Sequence, residues 1–202
     1  MPRLSLAEVV DVISKSGDPK RNNISKIKNK KPYSPQTDFY KPLRSAIVKM
    51  HKEGKSSESL SLLLNGLTDK NKISNYPKVL KGYQRWCKGA NPIWNSTTSF
   101  MYTYLDVEVH VNPEIGVLIN GEPHLIKLYF KDEKLSKLYI SIVNALMAKT
   151  VGPMTSCDTK VAVLDVRRAK LHVNSLDQKG IDRYVGMVDA EFAYISATWN
   201  HI

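Results

Sequence analysis

The chain has 202 residues, 42% of them hydrophobic, with 30 Lys and Arg against 19 Asp and Glu and a formal net charge of +11. That length and apolar content suffice for one ordinary domain with a buried core. No run approaches the roughly 18 apolar residues that span a bilayer, and Glu8 and Asp11 interrupt the opening segment where a signal peptide would stay apolar. The expected location is therefore the cytoplasm, with no membrane partner. Cys87 and Cys157 are the two cysteines. They stand far apart with no Cys/His cluster around them, so neither a zinc site nor a disulfide framework is indicated.

The charge is unevenly spread. Residues 1–90 hold 19 Lys and Arg against 7 Asp and Glu, a balance of +12, whereas residues 91–202 hold 11 against 12. The first ninety residues read as a basic helical region packed on or appended to an α/β core formed by residues 91–202. Leu4 to Ser14 places Leu6, Val9, Val10 and Ile13 at helical spacing. Lys20 to Lys31 follows with six cations, Lys20, Arg21, Lys26, Lys28, Lys30 and Lys31, and no acid. It reads either as a solvated basic arm or as a contact for phosphates, each of which releases condensed counterions when neutralised. Ile24 and Ile27 are its apolar anchors, too few for an anionic membrane surface. Three prolines make Lys31 to Pro42 an irregular connection. Lys41 to Lys52, with Leu43, Ile47 and Met50, is a second amphipathic helix. Ser56 to Leu67 is another, started by serines and stopped at Asn65-Gly66, and Tyr76 to Lys88 is a short one holding Tyr83 and Trp86.

From Ile93 the period changes to two. Phe100, Tyr102 and Tyr104 alternate with Met101 and Thr103, and Val107, Val109 and Val111 alternate with Glu108 and His110, which predicts strands with unlike faces. Ile115 to Ile119 and His124 to Phe130 form a hairpin around Asn120-Gly121, the dipeptide that best tolerates the positive backbone angles of a tight turn. Ser136 to Lys149 is a helix. Val161 to Val166 is a buried strand that Ala169 to Val173 continues, and Gly180 to His201 is a final helix. The fold class is α/β, a central mixed sheet flanked by helices.

Helix, three strands, helix, strand is also the core order of the PD-(D/E)xK nuclease superfamily, which residues 93 to 175 resemble. In that family an acid near the second core strand, often after proline, and an acid-x-lysine in the third hold magnesium or manganese and position the attacking water. Pro113-Glu114 matches the first half, with Glu114 the implied metal ligand, and Lys127 stands in the expected strand. Leu125-Ile126-Lys127 occupies the acid-x-lysine position, so one carboxylate is missing. Glu122 at the turn, Asp106 or Glu108 on the preceding strand, and Glu53 or Glu58 on an earlier helix are the acids that could supply it. The resemblance thus implies two alternatives: a Mg- or Mn-dependent phosphodiesterase with Glu114, Lys127 and Glu122 as catalytic candidates, or a relative that binds nucleic acid without cutting it.

Outside that core, Arg167 and Arg168 end a buried strand and could clamp a phosphate through forked hydrogen bonds. His124 beside Lys127 could bind a phosphate or a metal. Tyr76, Tyr83, Trp86 and Trp94 lie among Lys72, Lys78, Lys81, Arg85 and Lys88, a mixture suited either to stacking on single strands or to a core. Glycine-rich phosphate loops, nucleophile elbows and HExxH elements do not occur, which argues against nucleotide hydrolases, α/β-hydrolases and metalloproteases. The expected partner is DNA or RNA, with an acidic protein as the alternative if the chain is instead a basic protein-interaction or immunity factor.

Overall fold

The computed structural model of the chain describes residues 1–31, 34, 38–151, 155 and 158–202; Cys157 and half of the connection expected between residues 31 and 42 lie outside them. In chain order the elements are β1 (Arg3–Ser5), α1 (Leu6–Ile13), α2 (Gly17–Lys28), α3 (Lys41–Lys52), a 3-10 segment (Ser57–Leu64), α4 (Lys70–Ala90), β2 (Ile93–Asn95), β3 (Phe100–Tyr104), β4 (Val107–Val111), β5 (Ile115–Ile119), β6 (Glu122–Tyr129), α5 (Lys137–Val151), β7 (Lys160–Asp165), β8 (Lys170–Val173), α6 (Gln178–Thr198) and a closing 3-10 turn (Trp199–His201). The strands make two mixed sheets flanked by helices. A five-stranded sheet runs β2-β5-β6-β7-β8, and a three-stranded sheet runs β1-β4-β3. In the larger sheet β6 and β7 are parallel, joined through α5, while the other neighbours are antiparallel. In the smaller one β1 joins β4 in parallel, Arg3 opposite Glu108 and Ser5 opposite His110.

The five-stranded sheet separates two apolar cores. Leu125 and Tyr129 of β6 and Val161 and Val163 of β7 face a core completed by α1, α2, α5, α6 and the small sheet. Ile126 and Leu128, with Ala162 and Leu164, face a second core roofed by α3, α4 and the 3-10 segment. Both faces of β6 and β7 are thus covered, as expected for parallel strands. Local chemistry sets the element ends. Ser5 and Glu8 form a capping box at α1, and the Asp69 carboxylate accepts from the backbone N–H of Asn71 and Lys72 to start α4. Asn120 and Gly121 both take positive φ, 52° and 81°, in the β5–β6 turn, as this tight hairpin requires.

Several segments differ from their sequence expectations. Arg3–Ser5 is a strand rather than the first turn of a helix, because its edge finds β4. The basic stretch after residue 20 is not a loose arm: α2 docks Ile24 and Ile27 into the first core. Ser57–Leu64 is 3-10 rather than α-helical, and α4 extends well beyond the expected Tyr76–Lys88. Ala169, at φ 54°, turns the chain so that β8 returns antiparallel to β7 instead of continuing it. Phe100–Tyr104 and Val107–Val111 belong to the smaller sheet, not to the central one. Among the described residues, no helix is long and apolar enough to cross a membrane. Burial pushes the Cys87 thiol up to about 12, leaving it an inert packing group.

Two buried polar details generate tests. His51 and Tyr83 share a 2.6 Å hydrogen bond in the second core, and burial lowers the His51 pKa to about 4. Below pH 6.5 the unfolded chain takes up a proton that the folded imidazole refuses, so stability present at neutral pH is lost as pH falls through 6.5 towards 4. Chemical denaturation should record a loss of roughly 2–3 kcal/mol across that window, and His51→Phe should remove most of the decline between pH 6.5 and 5. Gly82 of α4 lies against the backbone at the end of β7: an added Cβ would stand 2.2 Å from the Val166 carbonyl oxygen and 2.8 Å from that of Arg167. Gly82→Ala, ordinarily stabilising in a helix, should here lower stability by about 1–3 kcal/mol, read as a lower thermal midpoint.

Candidate functional site

The backbone brings Glu114 and Lys127 together. Glu114 leads into β5, its N–H donating 3.0 Å to the Ile126 carbonyl, and Lys127 lies one position along β6. The Lys127 ammonium donates 2.6 Å to Glu114 Oε1, and 3.0 and 2.9 Å to the carbonyl and side-chain oxygens of Asn112. Its three protons are all engaged. The other Glu114 oxygen, Oε2, accepts at 2.7 Å from the Leu128 N–H. The two side chains keep only 12% and 11% of their surface, a nearly buried ion pair in which each carboxylate oxygen accepts one bond.

The pair borders a cavity of about 570 Å³ between the start of α1, α3 and the β6–α5 connection, lined also by Tyr40, Arg44, His110, Lys131 and Tyr139. Arg44 is held by an ion pair to Asp38. Tyr40 stacks on Phe130 with ring centroids 5.3 Å apart. Burial, reinforced by the nearby Glu114 charge, pushes the Tyr139 hydroxyl well above the ordinary tyrosine range. On its α3 side Glu114 also borders a groove of about 450 Å³ walled by Arg44, Lys49, Lys52 and Glu53. Sequence reasoning missed this α3 contribution and Asn112. The signal for α3 was present: opposite Leu43, Ile47 and Met50, its polar face is almost wholly cationic.

The remaining candidates do not converge on the pair. Glu122 is five residues back along β6, about 16 Å away by strand rise, and is bound at 2.7 Å to Lys160; that hydrogen bond holds its carboxyl below the usual range. Glu108 pairs with Arg3 at 3.0 Å, Glu58 lies near Lys88 at 3.8 Å, and Asp106 is exposed in the β3–β4 turn. Glu53 borders the groove but bonds Lys55 at 2.9 Å. Leu125, at the motif position for the missing acid, is buried in the first core. His124 is buried, its Nδ1 2.9 Å from the Glu122 carbonyl.

Among the described residues, no group of three His, Cys, Asp or Glu side chains could hold a metal ion. A single carboxylate without such a group around it does not fit magnesium or manganese, which need a set of oxygen ligands with room for retained waters.

The cations proposed for nucleic acid divide in two. Lys20 pairs with Glu191 at 2.5 Å, Lys28 donates to the Trp199 and Ile202 carbonyls at 2.6 and 2.8 Å, and Lys30 pairs with Glu8 at 2.8 Å. Arg21, Lys26 and Lys31 are exposed. Arg167 donates 2.7 Å to the Phe130 carbonyl and 2.8 Å to Asn75 Oδ1, and Arg168 pairs with Asp165 at 3.2 Å, so both secure the end of β7. Tyr76, Tyr83 and Trp86 are core residues, whereas Trp94 is half-buried with the Lys52 ammonium 5.7 Å over its ring.

No protein-family model matches the chain, and no curated protein matches it. Among solved structures, it is similar to LHK-Exo in complex with dAMP, at 10% identity and a TM-score of 0.40, covering 98% of this chain and 90% of that one. It is also similar to SSO0001, at 11% identity and a TM-score of 0.34, covering 93% and 75%.

The ion pair itself is open to measurement. Lys127→Met or Glu114→Gln alone strands a nearly buried polar partner and should cost about 2–4 kcal/mol. The double substitution should cost clearly less than the sum, with a coupling of roughly 1–3 kcal/mol in a denaturation cycle.

Proposed function

We propose that the chain is a nucleic-acid-binding module of nuclease-like architecture that binds without metal-dependent cleavage. The observation that carries this reading is the closed Glu114–Lys127–Asn112 cluster, with Leu125 buried where a second carboxylate would be needed. An in-line displacement at phosphorus needs an ionised water and a stabilised leaving oxygen. Here Lys127 has no spare proton to direct at a hydroxide, and among the described residues the acids that share a cavity or groove with Glu114, Asp38 and Glu53, are engaged by Arg44 and Lys55 and form no group of three that could hold a metal. The pair instead acts as a structural strut between β5 and β6.

Binding is supported by charge. The positive excess lies in residues 1–90, and Arg44, Lys49 and Lys52 of α3 border the groove beside Glu114. Such a wall lowers the electrostatic cost of bringing a phosphate chain against the sheet end, and binding of this kind weakens with added salt as counterion release loses its advantage. Neither magnesium nor manganese has a role in the proposed module.

Purified protein should be mixed with labelled single- and double-stranded DNA and RNA in magnesium, manganese or chelator. Salt-sensitive binding with equal affinity in all three conditions and no cleavage is the expected result. Metal-dependent cleavage lost in both Glu114→Ala and Lys127→Ala would overturn the non-catalytic reading. Absence of binding at near-physiological salt would overturn the nucleic-acid reading and favour an acidic protein partner.

A further inference from the structure

A long row of exposed positive charge lies on neither the Lys20–Lys31 stretch nor the site, but on the outer face of α4. Its sequence, KNKISNYPKVLKGYQRWCKGA, contains no acid. Lys70, Lys78, Lys81, Arg85 and Lys88 are all exposed, and at 100° per residue they fall within about 80° of the helix circumference. Tyr76, Val79, Leu80, Tyr83 and Trp86 occupy the opposite, buried face. At 1.5 Å per residue the row is about 27 Å long.

Little in the fold compensates it. Lys70, Lys78 and Lys81 make no side-chain hydrogen bond or ion pair among the described residues, Arg85 donates 3.3 Å to the Arg167 carbonyl, and Lys88 stands 3.8 Å from Glu58. Lys78 and Lys81, Lys81 and Arg85, and Arg85 and Lys88 are like charges three or four residues apart, a spacing that destabilises an isolated helix. An external row of phosphates removes that repulsion.

Building on the nucleic-acid reading above, we propose that the outer face of α4 is the principal docking surface of the protein, taking a double-stranded nucleic acid through its phosphates without reading sequence. The preference for a duplex follows from the faces of the helix. Single-strand binders combine cations with aromatic platforms for unstacked bases, and the α4 aromatics are turned into the core, leaving no aromatic ring beside the exposed cations of the helix. Gly82 seats the helix tightly on the backbone at the end of β7, so the row is presented on a rigid support.

The test compares two triple variants of the full chain, Lys78→Gln/Lys81→Gln/Arg85→Gln on α4 and Arg21→Gln/Lys26→Gln/Lys31→Gln in and beside α2. Affinity for duplex DNA and RNA of unrelated sequence, and for the matching single strands, is followed against salt. The α4 variant should bind duplex about tenfold or more weakly, with the slope of log affinity against log salt reduced by about 2–3. The α2 variant should keep most of both. The α4 variant should unfold at the same temperature as the parent or slightly above, since like-charge repulsion is relieved. A parent that binds duplex while the α4 variant keeps its affinity and slope overturns this inference and leaves the nucleic-acid reading standing. So does an equal loss in both variants, or a parent that prefers single strands. A parent that binds no nucleic acid removes the underlying reading itself.

Discussion

Strand β6 is covered on both faces, and this double burial governs what the rest of the molecule can do. Its two-residue period sends Leu125 and Tyr129 into one core and Ile126 and Leu128 into the other. Lys127 shares the parity of Leu125 and Tyr129, yet its ammonium escapes the apolar core because the chain leading into β5 supplies Asn112 and Glu114 at its level. A carboxylate at position 125 would have to enter the packed first core. Position 125 is therefore a packing position, and the side chain two residues before the lysine belongs to the core rather than to the polar cluster.

The positive charges of this chain fall into two physical kinds. Lys127, Arg167, Lys20 and Lys28 are largely withdrawn from solvent and spend their protons on carbonyls and carboxylates, holding segments distant in sequence against one another. Their contribution is to structural specificity. Lys49 and Lys52 of α3 and the cations of α4 are mostly exposed, with acids no nearer than 3.8 Å at Lys49 and Lys88. Net charge summed over the first ninety residues merges the two kinds, and the distinction between them is the one that bears on a polyanionic ligand.

The elements that depend on local rules were legible in the sequence. Asn120-Gly121 marked a hairpin because that dipeptide readily takes consecutive positive φ angles, and the α5 and β7 patterns followed from their apolar patterning. The juxtaposition of Glu114 with Lys127 was legible for the same reason, since a tight hairpin fixes register. What escaped was set by partners remote in the chain. Three residues of β1 carry no strand signal of their own and exist as a strand through β4. The split into two sheets depends on where Phe100–Val111 finds its edge, and the ordered α2 on two isoleucines meeting a core assembled by later elements. Asn112 was invisible as a site residue because its role lies in a lysine fifteen residues away.

The parallel pairing of β1 with β4 also shapes how the chain reaches this fold. Ser5 both pairs with His110 and caps α1, so the start of the first helix is anchored to a strand more than a hundred residues later. A growing or refolding chain can close the β5–β6 hairpin from neighbouring residues, whereas β1 must wait for the whole intervening segment and bear the entropy of that long loop. Until then the apolar face of α1, with Leu6, Val9 and Val10, has no completed core to enter. The long-range step in assembly is thus the docking of β1 and α1, and the apolar face they carry meanwhile is a surface open to association with other unfinished chains.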